Sequence, residues 1–118
     1  MLPRFSAFLH RHEARLGEIF TLGELAAAGE IGRRELYLAT RWALKEAALK
    51  ALGTGWGAGA QWVEVEATGA TFRPRVVLHG GAREIAARHG KCTVFAATAC
   101  ADDCVVAMVV LVGAEELA

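Results

Sequence analysis

Between Arg41 and Gly55 the chain reads RWALKEAALKALGTG, the densest grouping of side chains in the sequence that could do chemistry. Glu46 and Lys50 stand four residues apart, which puts a carboxylate and an ammonium on one helix face with the acid on the N-terminal side. Such a pair is either a surface ion pair or part of a working site. Gly53-Thr54-Gly55 follows directly, and glycines there let backbone N–H groups approach an anionic ligand. Carboxylate, lysine and glycine loop together suit a phosphate held through a divalent metal. Late in the chain lie three cysteines, Cys92, Cys100 and Cys104. No His or Cys pair stands near them to complete a zinc set, and their odd number favours a reducing compartment. Cys100 is a nucleophile only if a base and a lowered thiol pKa attend it; otherwise it is a small buried residue at a strand end. His10 and His12, two apart on a helix, face different ways and are not joint ligands. His79 and His89 carry no motif. Trp42, Trp56 and Trp62 read as core or interface anchors, and Asp102-Asp103 as a turn.

The elements that must position these groups follow from pattern. From Arg33 to Leu52 there is no Gly or Pro, and Ala, Leu, Glu, Lys and Arg dominate, so one long helix is predicted there, stopped at Gly53. Leu36, Ala39, Ala43, Ala47 and Ala51 form a small-residue stripe, expected to let this helix pack closely on a sheet. Ahead of it, Phe5, Phe8, Leu9, His12 and Leu16 predict a helix from about Arg4 with its stop at Gly17. Thr21 and Glu24 have capping-box spacing, so a second helix is expected over Leu22 to Ala28. After the loop, the alternation in QWVEVEA predicts a half-buried strand, with a turn at Thr68-Gly69-Ala70 and a returning strand from Arg75 to Leu78. Gly80 to His89 reads as a short helix ended by Gly90. Lys91 to Ala99 and Cys104 to Val112 read as two strands of a hairpin. The expected class is α+β: helices on one face of a small, mainly antiparallel sheet, in a single domain over residues 1–118.

Composition narrows the function. The chain has 118 residues, 54% of them hydrophobic, enough for one buried core. Thirteen basic and thirteen acidic residues give a net charge of zero. No field is left to hold a polyanion, so nucleic acid is not an expected partner. Neutrality favours self-association, and a homo- or hetero-oligomer is expected. The longest apolar run, Cys104 to Val112, is far short of the roughly 20 residues of a spanning helix. The N-terminus also lacks an apolar signal-peptide core, so no membrane partner and a cytoplasmic location are expected.

The run from Arg41 to Gly55 resembles the signature of the holo-acyl-carrier-protein synthase type of 4′-phosphopantetheinyl transferases. The flanks are similar to that family as well: RFSAFLHRHEARLGEIFT with Glu24, Trp62-Val63-Glu64-Val65, and Pro74 to Gly80. The resemblance implies coenzyme A and a divalent metal, usually Mg2+, as cofactors, an acyl carrier protein as partner, and commonly a trimer. It implies that Glu46 is a metal ligand and that Lys50 stands near the phosphates, both as catalytic residues. Arg41, Lys45, Gly53, Thr54 and Gly55 match further positions lining the cofactor cleft.

Two stretches depart from the family pattern. Family members open with a strand of the form G-x-D that supplies a second metal-binding carboxylate, whereas here Met1-Leu2-Pro3 stands directly before Arg4-Phe5. Near the C-terminus, Cys100 falls where the family has a histidine, and Ala97 and Ala99 fall where it has serines. The departures lead to an expectation of a repurposed relative, with ordinary phosphopantetheinyl transfer lost. It would act on carrier-bound acyl or polyketide chains in fatty-acid or secondary-metabolite biosynthesis, as a cyclase or isomerase with Cys100 in a catalytic role, or serve as a subunit of a mixed oligomer. The alternative is an active synthase that moves 4′-phosphopantetheine from coenzyme A to a carrier-protein serine.

Overall fold

Helix propensity is concentrated in the first half of the chain and β-branched residues in the second, and the architecture follows that division. The computed structural model describes residues 2–30, 33–54 and 59–114. Helix α1 spans Leu2–Arg11 and is followed by a 3₁₀ turn at Glu13–Glu18. The single helix expected to run to Gly17 is therefore two pieces; the 3₁₀ turn swings Leu16 into the core. Helix α2 spans Leu22–Glu30 and α3 spans Arg34–Leu52, which ends at Gly53 in the left-handed conformation (φ 80°). The capping box at Thr21 is made in both directions: the Glu24 N–H donates to Thr21 Oγ1 (3.1 Å) and the Thr21 N–H to Glu24 Oε1 (2.8 Å).

The strands are β1 (Val65–Ala70), β2 (Arg73–Leu78), β3 (Lys91–Ala101) and β4 (Cys104–Gly113), with helix α4 (Gly80–Arg88) between β2 and β3. They form two antiparallel two-stranded ladders, β1 with β2 and β3 with β4. The first strand is shorter at its start than the alternation predicts, because Trp62–Glu64 coil into a 3₁₀ turn. At its other end it runs on through the expected turn, so that the reversal falls at Thr71-Phe72. The second ladder matches expectation closely, with Ala101 opposite Cys104 and Asp102-Asp103 between them. Asp102 takes φ 54°, a conformation that Asp tolerates better than most residues.

Helix α3 runs through the middle of the core. Leu36, Tyr37, Leu38 and Ala39 pack with Phe5, Leu9, Leu16 and Phe20 from the preceding helices, and Val105 joins this cluster from β4. Toward its C-terminus, Leu44, Ala48, Leu49 and Leu52 pack with Val65, Ala67 and Val76 from the first ladder and Ala82 and Ile85 from α4. The predicted stripe is buried only in its first part, at Leu36 and Ala39. Ala43 and Ala47 are only half-buried and Ala51 is exposed, while Arg41 and Lys45 lie on the enclosed side.

Candidate functional site

The helical period divides the Arg41–Lys50 segment into two faces. Successive residues turn by about 100°, so Arg41 and Lys45 share one face and Glu46 and Lys50 another. The first face is sealed. Both Arg41 and Lys45 have 0% exposure, and Arg41 is the largest of the fully buried side chains among the described residues. Arg41 lies over the Tyr37 ring at 4.3 Å and donates to the Gly69 carbonyl at 2.6 Å, with longer contacts of 3.3–3.5 Å to the carbonyls of Thr68, Ala70 and Thr71. It thereby gathers the end of β1 and its turn onto α3.

Lys45 donates in three directions: to Glu24 Oε1 (2.7 Å), to the Trp62 carbonyl (3.1 Å) and to the Val65 carbonyl. All three ammonium hydrogens have an acceptor. Burial holds its pKa below the ordinary lysine value, although Glu24 pulls the other way. Glu24, also wholly enclosed, accepts from Thr21 N, Lys45 Nζ and the Ala67 N–H (2.9 Å), which ties α2, α3 and β1 through one carboxylate.

Glu46 and Lys50 face the other way. Glu46 is half-buried and Lys50 exposed. Neither makes a hydrogen bond or ion pair with any described residue, so the surface ion pair that their spacing allows is not formed. Ala43, Ala47 and Ala51 lie at adjoining positions of the helix surface, Ala43 packing in part against the core. At the helix end the Gly53 N–H donates to the Lys50 carbonyl (3.0 Å), so that amide closes the helix. Thr54 Oγ1 is buried without a partner, and Gly55 and Trp56 lie outside the described residues. Among the described residues no group of three or more His, Cys, Asp and Glu could hold a metal ion. A metal at Glu46 would therefore complete its shell with bound phosphate and water. Magnesium is commonly held in that way, by one or two carboxylates with substrate phosphates, and the free Glu46 carboxylate fits it.

Cys100 is exposed on β3 opposite Val105, rather than buried at a strand end, and no described side chain hydrogen-bonds to its thiol. Cys104 is exposed as well, and the side chain of Cys92 lies outside the described residues. Ala97 and Ala99 are exposed on the same strand. Around them Phe95, Val106, Met108 and Val110 present apolar side chains outward.

Three features escape sequence reasoning. One is the Glu24–Lys45 tie, between residues 21 positions apart with no spacing signal. Another is the sheet-to-helix lock at Glu64, whose carboxylate accepts from Gln61 N and from Gly81 N at the start of α4, both at 2.7 Å. A third is an aromatic run, Phe8 to Trp42 (5.4 Å) to Trp62 (4.9 Å), beside a cleft of about 390 Å³ that also reaches His12 and Gln61. His79 Nε2 pairs with Glu66 Oε1 at 3.1 Å, and Thr21 Oγ1 donates to the other Glu66 oxygen at 2.8 Å. The Thr21 bond first, and His79 after it, holds the Glu66 pKa below the ordinary glutamate value.

The helical frame and two antiparallel ladders match known proteins. Residues 3–108 fit the family model of the 4′-phosphopantetheinyl transferase superfamily, and the chain belongs to that superfamily. Within it, the chain is 39% identical over 90 residues to the holo-[acyl-carrier-protein] synthase of Moorella thermoacetica, covering 75% of this chain and 70% of that one. It is 45% identical over 85 residues to the corresponding protein of Shewanella amazonensis, covering 70% and 68%. The crystal structure of the Neisseria meningitidis holo-[acyl-carrier-protein] synthase superposes with a TM-score of 0.82 at 28% identity, covering 93% of this chain and 90% of that one. That of Helicobacter pylori, in complex with coenzyme A, has the same fold (TM-score 0.76, 18% identity, 94% and 93% covered). No helix among the described residues is long and apolar enough to cross a membrane.

Proposed function

We propose that this protein transfers 4′-phosphopantetheine from coenzyme A to the serine of an acyl carrier protein. The observation that carries this reading is the pair Glu46 and Lys50, open and unpartnered on a helix whose neighbouring cations Arg41 and Lys45 are locked inside. In this reading Glu46 is the protein's ligand to Mg2+, which supplies charge neutralisation at the coenzyme A pyrophosphate when bound. Lys50 is one helical turn further on, placed to offset the charge that builds on the departing 3′,5′-ADP as the carrier serine takes the phosphoryl group. Gly53 and Thr54, with its buried unpartnered hydroxyl, border the same end of the helix, and Gly55 is the next residue in sequence. Arg41 and Lys45 serve the site from beneath, fixing the rotation of α3. The outward apolar face of Phe95, Val106, Met108 and Val110 supports an oligomer, and the trimer of the resemblance is the form proposed.

A second reading rests on the β3 residues. Ala97, Ala99 and Cys100 lie exposed where the family pattern has serines and a histidine, which supports a repurposed role on carrier-bound acyl or polyketide chains, or in a mixed oligomer. The deciding experiment incubates the purified chain with apo carrier protein, coenzyme A and Mg2+ and weighs the carrier by mass spectrometry. The transferase reading expects one phosphopantetheine arm per carrier and its loss with Glu46→Ala. No gain in mass refutes it and favours the second reading, to be tried next with acyl-loaded carrier.

A further inference from the structure

Away from Glu46, the two ladders are joined at one end and open at the other. Near the β1–β2 turn, Thr98 Oγ1 donates to the Thr71 carbonyl at 2.8 Å, stapling β3 to the first ladder. Toward the end of β2 and the start of β3 no ladder forms between them, and α4 lies across the gap. The space there is a groove of about 630 Å³, within the range of roughly 300–1,000 Å³ that small-molecule sites occupy. Its floor is aliphatic, built from Val76, Leu78, Val94 and Leu111. Its remaining wall carries His79, Arg83 and Lys91, and no described carboxylate lines it. The nearest acid behind His79 is Glu66, whose two oxygens are already taken by His79 and Thr21. Arg83 is exposed, and no described residue forms an ion pair or side-chain hydrogen bond with its guanidinium.

An aliphatic trough with the unpaired Arg83 guanidinium at its rim selects an aliphatic chain bearing a single anionic head. An inorganic anion leaves the trough wet, and a neutral hydrocarbon leaves the guanidinium unmatched. We propose that this groove binds a free medium-chain fatty acid, with the carboxylate on the Arg83 guanidinium in a charge-assisted contact and the chain lying along Val76, Leu78, Val94 and Leu111. The site is independent of the Glu46 face, so it stands or falls separately from the transferase reading.

The test titrates the full chain with carboxyl-labelled decanoate, kept below micelle formation, and follows binding by calorimetry and by the carboxyl carbon resonance. Acetate supplies the head without the chain, and decanol the chain without the head. The expected result is saturable decanoate binding of one per chain, weakened at least about tenfold by Arg83→Gln, the loss of one hydrogen-bonded charge contact. Ala87→Phe, which fills the groove from α4, is expected to abolish binding while the circular dichroism spectrum stays unchanged. Acetate and decanol are expected to bind at least about tenfold more weakly. Absence of binding, equal binding of decanol, indifference to Arg83→Gln, or shifts confined to the Met108 methyl on the opposite apolar face would each overturn the proposal.

Discussion

Removing Lys45 tests the claim that α3 is held in rotation by charge inside the core. In Lys45→Met the chain volume is nearly kept, but Glu24 remains as a buried carboxylate without its cation, and the carbonyls of Trp62 and Val65 lose their donor. Breaking a buried ion pair from one side costs about 3–5 kcal/mol. Unfolding entropy of about 2.1 cal/mol/K per residue, over 118 residues, gives about 0.25 kcal/mol per degree, so the midpoint should fall by about 12–20 °C. Burial works against the Lys45 charge while Glu24 supports it, and replacing both members of a buried pair by apolar groups is commonly far less costly than removing one. The double variant Glu24→Met/Lys45→Met should therefore lose at least about 2 kcal/mol less than the sum of the two single losses, even though Thr21 N–H and Ala67 N–H lose an acceptor. Urea unfolding followed by circular dichroism and tryptophan fluorescence, at one protein concentration, reads all four forms. Additive losses, or a Lys45→Met loss under about 1 kcal/mol, would show that the pair does not tie the helix.

Other expectations follow from the same contacts. Because Lys45 binds its proton less tightly folded than unfolded, its contribution makes stability rise as pH climbs from its lowered folded pKa toward 10.5; that alkaline rise should vanish in Lys45→Met, read by urea midpoints across the range. Glu66 gives a slope of the same sign in the acid range: its folded pKa lies below 4.5, so its contribution is present above that value and lost as pH falls through the folded pKa. Glu66→Gln should flatten the acid limb of the stability profile, and an unchanged limb would disprove the Thr21 and His79 contacts as its source. A Cβ on Gly81 would stand 1.9 Å from the Gly59 carbonyl oxygen, so Gly81→Ala should destabilise by about 2 kcal/mol or more in a thermal melt, whereas Gly29→Ala, with open space around it, should be neutral or stabilising.

How much of this was legible in sequence depends on how local the cause is. The extent of α3 and its stop at Gly53 follow from propensity and one left-handed residue, and the β3–β4 hairpin from two adjacent Asp between β-branched runs. The inside of α3 was not legible. Ala47 and Ala51 were expected in the packing stripe and Arg41 and Lys45 along the cofactor cleft, yet Ala47 is half-buried, Ala51 exposed and the two cations enclosed, a reversal of inside and outside over this part of the helix. The acceptors that make the reversal affordable, Glu24 and the carbonyls from Trp62 to Thr71, lie 17 to 30 residues away. Likewise the alternation in QWVEVEA hides the fold-back of Glu64 to Gln61 and Gly81, because alternation records burial and not hydrogen bonding.

The reversal also explains why the site takes the form it does. In Lys45-Glu46 two adjacent residues of opposite charge are turned about 100° apart, one into the core and one out of it. A slip of α3 by one residue that brings Glu46 toward the Trp62 and Val65 carbonyls and Glu24, where a carboxylate meets acceptors and another carboxylate, would put Ala47 in the place that Glu46 now holds. The buried lysine thus sets the register of the exposed glutamate. Arg41, one turn earlier on the same side, repeats the constraint through the β1–β2 turn, so two independent tie points fix one rotation. With Lys45 absorbed below, Lys50 is the cation left within one turn of Glu46.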